Sequence, residues 1–180
     1  MIPKLETERL ILRGCKREDF EAYARFMSDP DVMRYLSGEP ITRGEAWRNM
    51  AAIIGQWTLR GYGRWAVERK SDGAFIGIAG LNHPEGWPGL EAAWTLGKEY
   101  WGQGYASEAG QASLDYAFLT QDVAQMISLI DPRNTGSQKV AERIGETRGE
   151  RREILFQGKT FTCDVWSISR EDWQRRRARH

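Results

Sequence analysis

The stretch Trp101-Gly102-Gln103-Gly104-Tyr105-Ala106-Ser107 decides how this chain is read. Two glycines, one residue apart, run straight into a helical pattern, and the apolar segment Leu90 to Leu96 just upstream reads as a strand. Strand, glycine loop and helix start form a cradle for phosphate. The glycines admit close backbone approach, free N–H groups point outward, and the helix dipole adds positive potential. Short glycine loops are common, so what surrounds this one must decide its use.

Downstream, Tyr105, Ala109, Ala112, Ser113, Tyr116 and Ala117 lie along one helical stripe, rich in small residues that let a helix lie close to a sheet. Met126 to Ile130 is a short, continuous apolar strand, and Asp131-Pro132-Arg133-Asn134 turns the chain. Ser137, Val140, Ala141 and Ile144 mark another helix, closed by Gly145. The strand–helix–strand crossover over residues 90 to 130 requires a parallel pair. Thr147 to Phe156 and Phe161 to Ile168 read as strands joined at Gln157-Gly158, and Ser169-Arg170-Glu171-Asp172 opens a short last helix.

Upstream, Arg9 to Arg13 alternates as a first strand, and Phe20, Tyr23, Ala24 and Met27 show helical spacing that Asp29-Pro30-Asp31 stops. Thr42-Arg43-Gly44-Glu45 fits a capping box, after which Trp47, Met50, Ala51, Ile54 and Trp57 mark an apolar face that ends at Gly61-Tyr62-Gly63. The aromatic residues of these helices suit either core packing or the wall of a pocket. Arg64 to Arg69 and Ala74 to Leu81 form an antiparallel hairpin around Ser71-Asp72-Gly73, with Gly77 and Gly80 allowing close packing. His83 to Gly89 is a loop. The pattern predicts an α/β (α+β) domain: a mixed, mostly antiparallel central sheet with one parallel pair, flanked by helices.

A chain of 180 residues suits one domain with its own core. Lys and Arg number 26 against 25 Asp and Glu, a net charge of +1, which gives no global drive toward nucleic acid or an acidic membrane surface. The run Arg175-Arg176-Arg177-Ala178-Arg179-His180 reads as a solvated basic tail, set off as residues 174–180 from a core of about 7–173. Cys15 and Cys163 lie far apart without metal-ligand spacing, which suits a reduced, cytoplasmic protein. Neither a signal peptide nor a membrane span is expected, and no metal cluster is visible.

Several stretches, taken in order, resemble the GNAT superfamily of acyl-CoA-dependent N-acyltransferases. Besides Trp101 to Ala106 before its helix, Asn134-Thr135-Gly136-Ser137 precedes the next one. Thr7-Glu8-Arg9-Leu10-Ile11-Leu12-Arg13, Ile76-Gly77-Ile78-Ala79-Gly80-Leu81, Trp101 to Ala109 and Asp131 to Ser137 are similar to the RimJ/RimL branch, which acetylates ribosomal-protein N-termini. The likeness runs from about Thr7 to Trp173 and implies a single N-acetyltransferase domain. Trp101 stands where Arg or Gln is usual, as is frequent in that branch; Lys98 replaces a common proline; Glu146 follows Gly145 where an apolar aromatic is usual. The last change bears on packing behind the cofactor.

The resemblance implies the chemistry. The pyrophosphate of acetyl-CoA would sit on N–H groups of Gln103, Gly104, Tyr105, Ala106 and Ser107, within a loop that begins at Trp101 and Gly102. Pantetheine would pair with the backbone of Trp94, Thr95 and Leu96, and Asn134 would contact it. A primary amine would attack the thioester directly, with Glu91 as base, Ser137 as the acid for the leaving thiolate, and a strand N–H near Leu96 meeting the oxyanion. Glu108 and Glu142 read as solvated helix charges, Tyr116 as core, and His83 and His180 as loop and tail residues. Asp164 would face the acceptor cleft or serve as a buried acceptor. The partners implied are acetyl-CoA as co-substrate and an amine, with a homodimer as the candidate assembly, and no metal, nucleic acid or membrane.

Two other readings stand beside this one. An acyl-CoA-binding sensor without turnover would keep the Gly102 to Ser107 loop and lack a working base. A dinucleotide-binding domain would place a three-glycine loop after its first strand; here the loop comes late and the third glycine is missing. The acceptor could be a protein N-terminus, an amino acid, a polyamine, an amino sugar or a drug, and fold does not fix it. Trp47, Trp57, Trp65, Trp87 and Tyr35 suggest an aromatic-walled cleft.

Overall fold

The computed structural model describes residues 1–156 and 158–179, so the expected joint at Gln157 and the terminal His180 lie outside the described residues. The strands are β1 (Leu5–Glu6), β2 (Leu10–Arg13), β3 (Arg64–Arg69), β4 (Phe75–Asn82), β5 (Glu91–Leu96), β6 (Gln125–Ile130), β7 (Thr147–Phe156) and β8 (Lys159–Ser169). The α-helices are α1 (Phe20–Met27), α2 (Pro30–Met33), α3 (Arg43–Arg60), α4 (Tyr105–Thr120), α5 (Thr135–Ile144) and α6 (Arg170–Arg177). One sheet carries all the strands in the order β1-β2-β3-β4-β5-β6-β8-β7. Every junction is antiparallel except β5–β6, the parallel pair that the crossover helix α4 demands.

Local chemistry sets the element ends. Thr42 accepts from the Glu45 N–H while the Glu45 carboxylate accepts from the Thr42 N–H, and left-handed Gly61 closes α3. Asp72-Gly73 turns β3 into β4, and the Asp72 carboxylate accepts from the Ala74 N–H. A Cβ on Gly77 would stand 2.2 Å from the Thr95 carbonyl, so only glycine lets β4 lie this close to β5.

Helices cover both faces of the sheet. α1 and α3 bury Phe20, Tyr23, Met50 and Ile53 against Ala66 and Ile78. On the other face α4 buries Tyr105 and Ala109 against Leu10, Leu12 and Ile76, and Leu114 against Leu81. Each large apolar side chain so buried contributes about 1.5–3 kcal/mol. No helix among the described residues is long and apolar enough to cross a membrane.

The structure corrects four details. Asp29-Pro30-Asp31 ends α1 but also starts α2, because the Asp29 carboxylate caps the Asp31 N–H and Pro30 occupies the first turn. The buried face of α3 is Ala46, Met50, Ile53 and Trp57, whereas Trp47 and Ile54 are 57% and 42% exposed. The stripe is turned because Trp47 packs edge-on against Phe20 at the rim of the core. Arg175, Arg176 and Arg177 belong to α6: Arg175 pairs with Glu171 and Asp172, and Arg176 donates to the Arg143 carbonyl at the C-terminal end of α5. Glu108 is no solvated charge, since it accepts from the Thr7 hydroxyl, the Arg9 N–H and the Arg9 guanidinium.

Candidate active site

The loop before α4 is built to leave donors free. Thr42, Asn134 and Ser169 cap α3, α5 and α6 with side-chain oxygens, but α4 begins at Gly104, which has no side chain to offer. The N–H groups of Tyr105, Ala106 and Ser107 have no carbonyl one turn back to bond. Gly102 and Gly104 hold φ of +73° and +83°, conformations that L side chains rarely adopt. The Ser107 hydroxyl is buried there without a partner. Arg9 fixes the loop from outside, donating to the Gln103 carbonyl at 2.9 Å and to Glu108 at 2.7 Å. Burial alone would push the Glu108 carboxyl up, but the hydrogen bonds from Thr7 and Arg9 outweigh it and hold the group below its ordinary value. Tyr105 buries its ring beneath the Arg9 guanidinium, so it offers the loop only backbone.

From this loop the Trp101 indole N–H donates to the Leu96 carbonyl at 3.0 Å, joining it to the end of β5. There the sheet opens. β5 and β6 share a single rung, Glu91 opposite Ile127, so the β6-facing edge of β5 has no strand partner from Ala93 to Leu96. The junction is closed at its base by the Ile127 N–H on the Leu90 carbonyl at 3.1 Å, the Leu129 N–H on Glu91 Oε1 at 3.2 Å, and the Ser128 hydroxyl on the Ala92 carbonyl at 2.7 Å. The cleft above holds about 240 Å³, with Glu91, Trp94, Thr95, Asn134 and Ser137 on its walls.

Glu91 sits at the floor, 6% exposed. Its carboxylate accepts from Asn82 Nδ2 at 2.8 Å, Trp87 Nε1 at 2.9 Å and the Leu129 N–H. Burial pushes its carboxyl above the ordinary value; the donors of Asn82 and Leu129, the Arg64 charge and the Trp87 donor pull the other way. The net effect is upward, with burial the largest cause. Ser137 is tied to its surroundings by the Trp94 indole, which donates to its hydroxyl at 3.2 Å, leaving the hydroxyl proton free for another acceptor. Asn134 Oδ1 accepts from the Ser137 N–H at 3.1 Å, which leaves its NH₂ for a ligand.

Other residues are placed differently from the expectation. Trp65 is wholly buried between Trp57 and Tyr116, and Trp47 is on the surface, so of the five aromatics only Tyr35 and Trp87 line the cleft. Asp164, the residue with two readings, is a buried acceptor for Arg151 at 2.8 Å and for Arg148. The Leu96 side chain is core, leaving only its backbone at the site. Cys15 and Cys163 are free thiols, and Cys163 lies in the cleft wall, where burial pushes it up to about 11.

One site residue was flagged only as a departure from a pattern. Glu146 is 3% exposed, with Oε1 2.9 Å from the Ser128 hydroxyl and Oε2 unpartnered. Burial, with the nearby Glu91 charge, raises its carboxyl to about 8.

Residues 9–147 match the family model described as "Acetyltransferase (GNAT) domain". The chain belongs to the GNAT acetyltransferase family. This GNAT chain is an N-acetyltransferase, 34% identical to the "Uncharacterized N-acetyltransferase p20" of Bacillus licheniformis over 92% of its own length and 94% of the relative's. The solved acetyltransferase from Agrobacterium tumefaciens str. C58 superimposes with a TM-score of 0.81 at 33% identity, covering 93% of this chain and 95% of that one. A RimL ribosomal L7/L12 alpha-N-protein acetyltransferase, solved in complex with coenzyme A, shares the GNAT fold at 16% identity with a TM-score of 0.76, covering 93% and 98% of the two chains.

Proposed function

We propose that the chain moves an acetyl group from acetyl-CoA to a primary amine, on a protein N-terminus or a small molecule, by direct attack. The observation that carries this is the parting of β5 from β6 above Glu91, with the uncapped start of α4 at its far end. That arrangement suits a long donor with an anionic middle and an amide-bearing arm. The N–H groups of Gln103 to Ser107 hold the pyrophosphate, and the buried Ser107 hydroxyl gains the acceptor it lacks. Trp94, Thr95 and Leu96 offer the arm an unpaired strand edge, and the Asn134 NH₂ completes its hold.

Coenzyme A supplies the activated thioester; the residues of the chain move protons. An ammonium has no lone pair with which to attack, so Glu91 takes its proton, directly or through a water in the cleft. A carboxyl raised by burial is matched to that task better than an ordinary glutamate. A backbone N–H near Leu96 meets the oxyanion, and Ser137, oriented by the Trp94 indole, gives its proton to the departing thiolate and is restored by the proton that the newly acylated nitrogen sheds. The two unpaired cysteines suit the cytoplasm as the compartment.

Thiol release from acetyl-CoA, followed with a panel of primary amines, tests the reading. Amine-dependent release is expected. Tight acetyl-CoA binding without release by any amine would leave an acyl-CoA-binding module in its place.

A further inference from the structure

The arginines of this protein are mostly neutralised. Arg13 is held by Asp19 and Glu68, Arg9 by Glu108, Arg133 by Asp131, and Arg148 and Arg151 by Asp164. Arg170 is spent on the carbonyls of Phe118, Gln121 and Val123. Arg64 differs: it is half-buried in the cleft wall, and its guanidinium has no hydrogen bond, carboxylate or aromatic partner among the described residues. Arg17, Arg48 and Arg143, also without such partners, are all exposed to water. The Arg64 charge acts on Glu91, whose carboxyl it lowers without a hydrogen bond or close ion pair, so the guanidinium donors stay unspent.

The sheet sets where this cation points. Arg64 pairs with Gly80, and Gly80 pairs with Ala93, so the three share one row and one face. The next row on that face holds Asn82 and its partner Glu91. A Cβ on Gly80 would meet the Arg64 Cα and the Gly63 carbonyl at 2.7 Å, so no side chain stands between Arg64 and the β5 side of the cleft. Two strand spacings, about 10 Å, separate the β3 and β5 backbones, and an arginine side chain spans much of that distance. The same cleft wall carries Tyr35 and Leu36 after α2, Asn82, Glu91, and Ile154 and Phe161 of the β7–β8 hairpin, and the Arg64 charge acts on Glu91, Tyr23 and Cys15. Of the carboxylates on the cleft wall, Asp131 is committed to Arg133, and Glu91 is held by its own donors.

We propose that Arg64 binds a carboxylate on the acceptor, and that the substrate class is a compact amine bearing a carboxylate a few ångströms from the nitrogen, as in an amino acid. The inference rests on the acetyl-transfer reading of the same cleft. Its geometry sets the amine beside Glu91 under the thioester and the carboxylate on the guanidinium, with the aromatic and apolar wall left for the rest of the molecule. A cleft of about 240 Å³ shared with the donor's thioester suits so small an acceptor.

The test compares amino acids with their amides as acceptors, in wild type, Arg64→Gln and Arg64→Lys. Acids are expected to exceed amides in kcat/KM by about tenfold or more, as a charge-assisted pair should give. The ratio should collapse in Arg64→Gln through a raised KM for the acids, and recover in part in Arg64→Lys. An acid-to-amide ratio near one, or one that Arg64→Gln leaves intact, overturns the proposal while acetyl transfer stands. So does an Arg64→Gln variant that shifts the pH profile equally for acids and amides, since the cation would then serve Glu91 alone.

A second measurement separates this from a failure of the enzyme reading. N-acetyl amino acids and N-acetyl amino-acid amides are titrated calorimetrically into the protein loaded with coenzyme A. Binding of the acid that depends on Arg64, without turnover of any amine, would retain the carboxylate site and remove the enzyme. No preference for the acid removes the site.

Discussion

The Ser128 hydroxyl lies 2.9 Å from Glu146 Oε1, and it has only one proton to give. The Ala92 carbonyl, at 2.7 Å, competes with Glu146 for that proton. Glu146 Oε1 therefore accepts at most a shared proton, which leaves its carboxylate poorly compensated and favours the neutral acid. The same conclusion follows from its burial, from the unpartnered Oε2 and from a carboxyl raised to about 8.

A pH dependence of stability follows. An unfolded glutamate loses its proton near 4.5, whereas folded Glu146 keeps it to about 8. Between those values the folded state binds more protons, so stability falls as pH rises. Thermal melts should show Tm declining from pH 5.5 to 8.5. Glu146→Gln keeps a donor for Ser128 without a charge, and should gain on wild type at pH 8.5 by on the order of 1–2 kcal/mol. Glu91, raised in the same direction, leaves a slope of the same sign. Identical slopes in wild type and variant would mean that Glu146 is ionised throughout.

Gly104→Val forces a branched residue to a φ of +83° and sets its Cβ 3.2 Å from the Arg9 guanidinium. Strain of this kind costs about 1–3 kcal/mol and displaces the free N–H groups. Acetyl-CoA affinity by calorimetry should fall at least about tenfold. Unchanged affinity would remove the loop from the account of binding.

Glu91→Gln replaces an acceptor of three donors by a group whose NH₂ cannot accept. Either Asn82 and Trp87 both lose their acceptor, or the Leu129 N–H does. The rate should drop by about 10²–10⁴-fold, and its rise with pH, expected as Glu91 ionises, should flatten. A lower Tm is expected alongside, so acetyl-CoA binding is measured on the same sample to show that the fold persists. Wild-type activity across pH would exclude Glu91 as the base.

Glu108→Ala removes the acceptor shared by Thr7 and Arg9. The variant should lose about 2–3 kcal/mol in denaturant unfolding and bind acetyl-CoA more weakly, because Arg9 no longer steadies the Gln103 carbonyl. The Glu108 carboxyl is held below its ordinary value, so its contribution is full above about pH 4.5 and is lost as pH falls through the lower folded value. The wild type should therefore lose its advantage over the variant in acid. An advantage that persists there would assign the effect to packing.

Much of the fold was legible because its signals are local. The Thr42 capping box, the Asp72-Gly73 turn, Gly145 and the crossover helix each fix backbone within a few residues, and each stands as read. Within the site, the glycine loop that runs into a helix at Tyr105 is legible for the same reason. What escaped is non-local. Nothing near Glu108 in sequence announces Thr7 and Arg9, about a hundred residues away, as its partners. The inward turn of α3 depends on Phe20 meeting Trp47, and the separate fates of Trp65 and Trp87 depend on which sheet face α4 covers. Glu146 was visible as a misfit of type, but its role needed Ser128 on β6 and Glu91 on β5 to be brought beside it.

The bonds that close β5 onto β6 join two lengths of chain, residues 5–96 and 125–169, that are otherwise separate half-sheets. Elsewhere in the sheet the seams are sewn by runs of backbone ladder. Here, among the described residues, the ladder is a single rung, Glu91 opposite Ile127, and the Glu91 carboxylate and the Ser128 hydroxyl add side-chain bonds to it. Glu91, the base in the proposed reaction, is therefore also a fastener of the molecule. A change in its charge therefore bears on the bond from the Leu129 N–H, one of those that hold the halves together.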